Sequence, residues 1–394
     1  MLPLSGLKVI AVEQYGAGPY GSMQLADLGA EVIKIENLAE GGDMARRVGP
    51  FFAGPEDSYF FHSFNRNKKS VTLDLKKPDA RRVLCALAAR ADGLIDNLRG
   101  DLPERLGLTY AALAAANPKI VCAHLSAYGR DGARAAWPGY DYLMQAETGY
   151  LALTGEPDGP PARMGLSIVD LMTGLFAAFA LVSGVLEARA TGQGRDLDVS
   201  LFDSALQNLS YLATWYLNAA HVQGREPRSA HPSLVPSQLY RTRDGFIFIM
   251  CNKEKFWPIL CRHLGRPDWA EDPRFRSFKD RLHNRDLVNA LLDEALSART
   301  TIEWLAGFAG EVPAAPVNDV RAALDNPFVH ERGRVLDYIR PGLAPIAMVR
   351  GPIVTADPPP TQAAPALGAD TDAVLDECGF SENEIKRLRS ERVI

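Results

Sequence analysis

Four short stretches of this chain place reactive side chains at spacings that could do chemistry. In Met164-Gly165-Leu166-Ser167-Ile168-Val169-Asp170-Leu171-Met172-Thr173-Gly174 a single carboxylate stands where a long apolar run begins. An Asp in that place commonly caps a helix N-terminus. The helix dipole and the free N–H groups then predict a carboxylate that stays ionised at neutral pH. An ionised, partly desolvated Asp is a usable nucleophile, so Asp170 is the catalytic candidate. Upstream, Pro138-Gly139-Tyr140-Asp141 with Gln145 adds a phenol and a second carboxylate, or else only a turn and a core tyrosine.

Gly16-Ala17-Gly18-Pro19-Tyr20-Gly21 follows a short apolar run and satisfies G-x-G-x-x-G, and Glu36 closes the next such run. That is the spacing of a dinucleotide site, with glycines admitting a pyrophosphate and an acid holding a ribose hydroxyl. Pro19 counts against it, because it removes an N–H from the turn that should cradle phosphate. A nicotinamide oxidoreductase and a plain strand-to-helix turn both stay open on these residues. Asn65-Arg66-Asn67-Lys68-Lys69-Ser70, with Lys76-Lys77 beyond the next run, offers cations for the phosphates of a nucleotide-like ligand, or a solvated loop. Asn97-Leu98 and Arg105 follow a strand end, where open α/β sheets bind ligands.

The elements that must position these groups alternate. Strands are predicted at Leu7 to Val12, Glu31 to Ile35, Ser70 to Leu75, around Leu94-Ile95, at Ile120 to Ala123 and at Asp196 to Leu201; helices are predicted at Ser22 to Leu28, Asp79 to Arg90 and through the apolar run to about Arg189. Strands alternating with helices imply a doubly wound α/β domain with a parallel sheet. From Gln238 to about Val320 amphipathic helices and the short strand Phe246 to Met250 suggest a smaller second domain. Recurrent prolines from Pro341 to Pro365 suit extended chain, and Thr371 to Leu388 reads as a helical tail.

Composition bounds the alternatives. The 394 residues are 47% hydrophobic and 23% charged, with a formal net charge of −5, which gives no footprint for nucleic acid. Five scattered cysteines, never in a C-x-x-C pair, argue against a disulfide framework or a zinc site and suit a reducing, cytoplasmic compartment. The N-terminus lacks the basic and apolar regions of a secretory signal. Leu171 to Leu186 is apolar but shorter than a bilayer span and contains Gly174 and Gly184, so it reads as a buried core helix and no membrane partner is expected. There is no G-x-S-x-G elbow, Walker loop or H-E-x-x-H, and no metal is expected.

Taken together, these stretches resemble the class III CoA-transferase family, the CaiB/BaiF group. The likeness runs from Leu4-Ser5-Gly6-Leu7-Lys8-Val9 through Ala17-Gly18-Pro19, Leu28 to Glu36, Gly42-Asp43, Asn65 to Ser70, Tyr140-Asp141 and the Asp170 segment to Leu367 to Leu375. The resemblance implies that Asp170 is the nucleophile and that the ligand is coenzyme A, as a substrate rather than a permanently bound cofactor. It implies CoA contacts at Gly16, Ala17, Leu73, Lys76, Asn97, Leu98, Arg105 and Tyr140, with Arg46, Arg66 and Asp141 as candidates for the acid substrate. It implies a large α/β domain over residues 1–200 and 330–394, a smaller α+β domain over 225–325, and an intertwined homodimer. Racemases of 2-methylacyl-CoA esters in the same family carry a His where this chain has Tyr140. A Tyr, with an ordinary pKa near 10, shuttles protons poorly at neutral pH, so transfer is expected over racemisation. The pattern Gly139-Tyr140-Asp141 and Ser233 to Gln238 resembles members that act on small dicarboxylates with succinyl-CoA as donor. The glycine run of formyl-CoA transferases is missing, with Pro236-Ser237-Gln238 in the comparable stretch.

Overall fold

The fold was read from a computed structural model that describes all 394 residues. The chain divides into two compact units. The larger holds Met1–Thr148, Gly165–Ser210 and Glu331–Ile394; the smaller holds Gly149–Met164 and Tyr211–His330.

The larger unit is built on six parallel strands: β1 (Lys8–Val12), β2 (Glu31–Glu36), β3 (Lys69–Thr72), β4 (Gly93–Asp96), β5 (Val121–Ser126) and β6 (Arg195–Ser200). Their spatial order is β3-β2-β1-β4-β5-β6. The chain thus leaves β1 in one direction, returns, and continues in the other. That reversal opens a crevice at the carboxyl ends of β1 and β4, where doubly wound sheets place their ligands.

Alternation along the strands sends side chains to two different helical layers. Ile10, Val12, Ile33, Ile35, Val71 and Leu94 pack in one buried cluster with Val83, Leu84 and Leu87 of a helix at Ala80–Ala88 and with the C-terminal residues Val374, Leu375, Ile385 and Leu388. The helical tail is two helices, Thr371–Glu377 and Glu382–Ser390. Gly379 between them adopts φ +88°, which ends the first helix.

The opposite face carries α1 (Ala17–Asp27) and the long helix α2 (Ile168–Thr191). Helix α2 is 24 residues long, longer than its apolar run suggested, and by length and composition alone it could cross a membrane. Its glycines do not interrupt it; they are contact points. A Cβ on Gly184 would lie 2.7 Å from Val121, and one on Gly93 would lie 2.6 Å from Leu181, so helix and sheet approach through missing side chains. The same holds between the helices. A Cβ on Gly21 would lie 2.2 Å from the Gly174 carbonyl oxygen, and one on Gly174 would lie 2.3 Å from that of Ala17. The third glycine of the G-x-G-x-x-G pattern thus serves helix–helix packing. Another face of α2 exposes Leu175, Phe176, Phe179 and Leu186.

The smaller unit has a three-stranded antiparallel sheet, with β8 (Phe246–Met250) between β7 (Ser237–Arg241) and β9 (Ala314–Pro316). Helices cover it with a core that includes Tyr240, Trp257, Phe275, Trp304 and Phe308. Gly149–Met164 joins this unit because the Arg225 guanidinium donates to the carbonyls of Gly159 (2.6 Å) and Pro160 (2.9 Å), and the Arg228 N–H donates to Glu156 at 2.9 Å. Sequence alone had no signal for that excursion.

Replacing Gly174 with Ala forces a Cβ against backbone that cannot move aside. It is expected to cost about 1–3 kcal/mol or more, as overpacking does, whereas Gly224→Ala, with nothing within 4 Å, should cost little. Urea unfolding midpoints of the two variants against the parent measure the difference.

Candidate active site

Because α1 and α2 meet glycine to glycine, the N-terminus of α2 is drawn against the loop that leaves β1. Asp170, in the first turn of α2, lies so close to that loop that a Cβ on Gly16 would be 3.0 Å from its Oδ2. Gly16 therefore admits the carboxylate beside the main chain. The sequence reading of Asp170 as a cap needs correcting. Ser167 precedes the helix without a capping bond, and Asp170 instead offers its own N–H, at 3.0 Å, to the Oδ2 of Asp141. Asp141 opens a short helix, α3 (Asp141–Glu147), and is buried; its Oδ1 accepts from Gln145 Nε2 at 2.6 Å. The expected ionisation needs correcting as well. Burial, and then the charge of Asp141, push the Asp170 carboxyl up to about 7.

The loop from β1 to α1 is held on two sides. The Asn97 amide donates to the Gln14 carbonyl (2.7 Å) and accepts from the Gln14 N–H (2.9 Å), as a neighbouring peptide would. Gly18 makes room for it, since a Cβ there would lie 2.9 Å from that of Asn97. On the other side Tyr15, at φ +70°, donates its N–H to Asp43 at 3.0 Å. Asp43 pairs with the fully buried Lys34 at 2.9 Å, and Lys34 also donates to the Glu13 carbonyl at 2.8 Å. Lys68 completes the cluster with bonds to Glu13 Oε1 (2.7 Å), the Pro19 carbonyl (3.0 Å) and Asn65 (3.0 Å). Burial lowers the Lys68 ammonium to about 8 against the opposing pull of Glu13.

A cavity of about 250 Å³ lies at the carboxyl ends of the first four strands. Its wall includes Gln14 after β1, Asn37 after β2, Leu73 and Lys76 after β3, and Leu98 and Leu102 after β4. Three of the expected CoA contacts, Leu73, Lys76 and Leu98, thus share one wall. Gly16 and Ala17 belong to the adjoining turn beside Asp170, and Asn97 ties that turn to the strand end before Leu98. Arg105 is solvent-exposed and pairs with Asp101 at 3.3 Å, and Tyr140 precedes α3 with 67% of its surface exposed.

The structure puts the two expected arginines to internal use. Arg46 forks onto Glu36, Nε to Oε2 at 2.8 Å and Nη2 to Oε1 at 2.6 Å, and its Nη1 donates to the Pro365 carbonyl at 3.1 Å. Arg66 forks onto Asp27 at 2.7–3.2 Å. Both are buried, so their charges are matched within the fold and neither is presented to a substrate. Lys69 likewise pairs with Glu31 at 2.7 Å. Of the basic run once open to phosphate, Lys76 is left on the cavity wall, paired with Glu40 at 2.8 Å but with 71% of its side chain exposed.

Glu36 also decides against the dinucleotide reading. Its two oxygens accept from Arg46, from Ser70 Oγ at 2.6 Å and from the Asp43 N–H at 2.9 Å. Burial alone would raise its pKa, but the Arg46 bonds hold it below the usual range. The acid that should receive a ribose hydroxyl is saturated. The buried cluster around Lys34 went unread in the sequence, although a lysine inside the strand Val-Ile-Lys-Ile was the available signal, since a charge in a buried strand must be paired.

Comparison with known proteins agrees with this geometry. Residues 4–371 match the model of CoA-transferase family III. The chain is 32% identical over 396 residues to the succinate–glutarate CoA-transferase of Agrobacterium fabrum, covering 95% of each chain. It is 36% identical over 341 residues to the acetyl-CoA:oxalate CoA-transferase of Acetobacter aceti, covering 85% of each. A crystal structure of a CaiB/BaiF family protein from Brucella suis superposes with a TM-score of 0.82 at 33% identity, covering 96% of this chain and 99% of that one. The chain belongs to CoA-transferase family III, an enzyme family.

The raised Asp170 pKa carries a stability signature that is independent of substrate. A carboxyl raised from the ordinary 3.8 to about 7 makes the folded state lose stability as pH climbs through that interval, because the unfolded chain ionises first. Asp170→Asn removes the penalty, so its gain in thermal midpoint over the parent should grow from about pH 4 to about pH 7 and level off above that. Paired thermal scans across that range measure the slope.

Proposed function

We propose that this protein moves coenzyme A from a donor acyl-CoA to a small carboxylic acid, with Asp170 as the nucleophile. One observation carries the reading. The Asp170 carboxylate lies against Gly16, in the loop that leaves β1, with no cationic partner to hold its lone pairs. In this reading Asp170 attacks the donor thioester, the C–S bond breaks, and CoA thiolate leaves an aspartyl–acyl anhydride. The thiolate then attacks the aspartyl carbonyl, releasing the donor acid and forming an aspartyl-CoA thioester. The acceptor carboxylate repeats the two steps in reverse order. Covalent catalysis of this kind divides one hard exchange into easier ones. The N–H groups of the Gly16 turn and of the first turn of α2 are the donors on hand for the developing oxyanions.

The cavity lined by Leu73, Leu98 and Lys76 suits the nucleotide end of CoA: its leucines offer apolar contact, and Lys76 is the one cation on a wall that also carries acids, able to leave Glu40 for phosphate while Glu36 and Asp43 stay paired with Arg46 and Lys34. Asp141 is the only charged group acting on Asp170, which favours transfer over racemisation, since inversion needs an acid and a base on opposite faces of one carbon. The relatives named for succinate, glutarate and oxalate support small dicarboxylates as substrates, and this reading takes succinyl-CoA as the donor. The exposed face of α2 bearing Leu175, Phe179 and Leu186 is read as the seat of a second copy in a cytoplasmic homodimer; all five cysteines are free.

Asp170→Ala should fold and lose essentially all exchange between labelled acid and acyl-CoA; retention of more than about a few per cent of the parent rate refutes the nucleophile, because a covalent route has no substitute for it. Hydroxylamine added during turnover should inactivate the parent and leave a hydroxamate at Asp170. Exchange measured from succinyl-CoA across a panel of short acids identifies the acceptor. Sedimentation equilibrium should give twice the chain mass, and a single-chain mass, or binding to lipid vesicles in place of dimerisation, contradicts the assembly.

A further inference from the structure

Asp141 sits where the chemistry of Asp170 can be tuned without any contact to substrate. It is the first residue of α3, buried to 4% exposure, and both of its oxygens are engaged, Oδ2 by the Asp170 N–H and Oδ1 by Gln145 Nε2. Gln145 Nε2 also donates to the Leu166 carbonyl at 3.2 Å, so α3 grips the chain on both sides of the α2 start. In effect Asp141 caps α2 from a neighbouring helix, in the place Ser167 leaves open. Neither Asp141 nor Asp170 has an ion-pair partner, and the group against Asp170 from the loop before α1 is Gly16, which carries no charge.

We infer that Asp141 is a positioning residue that holds the Asp170 main chain and, through its own negative charge, drives Asp170 toward its acylated states. The inference rests on the transfer reading above. Two carboxylates packed together out of water repel, and the charge that can be discharged is the one on the nucleophile. When Asp170 attacks a thioester, its charge departs with the CoA thiolate and then with the donor carboxylate. The anhydride and the aspartyl thioester that remain at Asp170 are both neutral, so the repulsion ends when the covalent bond forms. The raised pKa of Asp170 is the same repulsion, together with burial, expressed toward a proton. Interactions that weaken the free carboxylate more than the acylated one accelerate acylation.

Asp141→Asn tests this, because an Asn oxygen still accepts the Asp170 N–H while the charge is gone. The acid limb of kcat/KM should move down by about one unit, and the fraction of enzyme carrying CoA after mixing with donor, read by intact mass, should fall about tenfold. A limb and a fraction both unchanged from the parent overturn the role. Asp141→Ser provides a second neutral variant should Asn misfold. If neither folds, carbon-13 titration of Asp170 in the parent, assigned with Asp170→Asn, decides: an apparent pKa near the ordinary carboxyl value overturns the inference. A parent that forms no CoA adduct and exchanges no label refutes the transfer reading itself, whereas an adduct that Asp141→Asn leaves unchanged refutes only the role of Asp141.

Discussion

The site depends on the contact between Gly21 and Gly174. Two helices whose facing residues lack Cβ atoms approach until backbone touches backbone, and only that closeness brings the start of α2 beside the loop after β1. Any side chain at either position would move Asp170 away from Gly16 by about the thickness of a methyl group, at a site where reacting atoms must stand about 3 Å apart. The other glycine of α2, Gly184, extends the principle to the sheet, so one helix registers the nucleophile against both α1 and β5.

What the helices bring together, two polar networks keep in shape. On one side of the crevice the cluster of Glu13, Lys34, Asp43 and Lys68 fixes the path of Tyr15, whose positive φ requires such support. On the other side His124 is clamped between Asp96 (2.6 Å) and Asp196 (2.9 Å). Burial alone would lower its pKa, but the bonds to Asp196 and Asp96 carry it up to about 9, so it braces the end of β4 as a cation. Asn97 follows directly and ties that strand end to Gln14. Removing one member of such a buried set strands a charge, at a cost of about 3–5 kcal/mol, which is why these groups act as framework.

These networks also mark the limit of what the sequence discloses. The strand-helix alternation, the parallel sheet and the smaller unit are legible, because apolar periodicity is local and survives in the fold. The Asp170 segment was visible for a similar reason, as a lone charge at the edge of an apolar run. Arg46 and Arg66 were misleading because a guanidinium looks the same in sequence whether it awaits a substrate or answers Glu36 or Asp27, and only tertiary contact tells the two apart. The glycine pattern misled in the same way. Spacing records that small residues are required without recording what comes close, and here it is a carboxylate, an amide and a helix rather than a pyrophosphate.

The ionisation of Asp170 turns on magnitudes. A helix N-terminus favours a carboxylate by about 0.3–1 kcal/mol at the surface, and that term alone would have kept Asp170 ionised. Burial and the adjacent Asp141 displace its pKa from 3.8 to about 7, an opposing effect on the order of 4 kcal/mol. The dipole therefore loses, and the group that results is poised rather than inert: a carboxylate near neutrality, shielded from water and lacking a cation, is more nucleophilic than one locked in an ion pair. A cation placed beside Asp170 would lower its pKa and, by the same interaction, stabilise the unreacted carboxylate against acylation. Leaving Asp170 uncompensated while nearly every other buried charge in this unit is paired is what distinguishes a group that must react from groups that must hold.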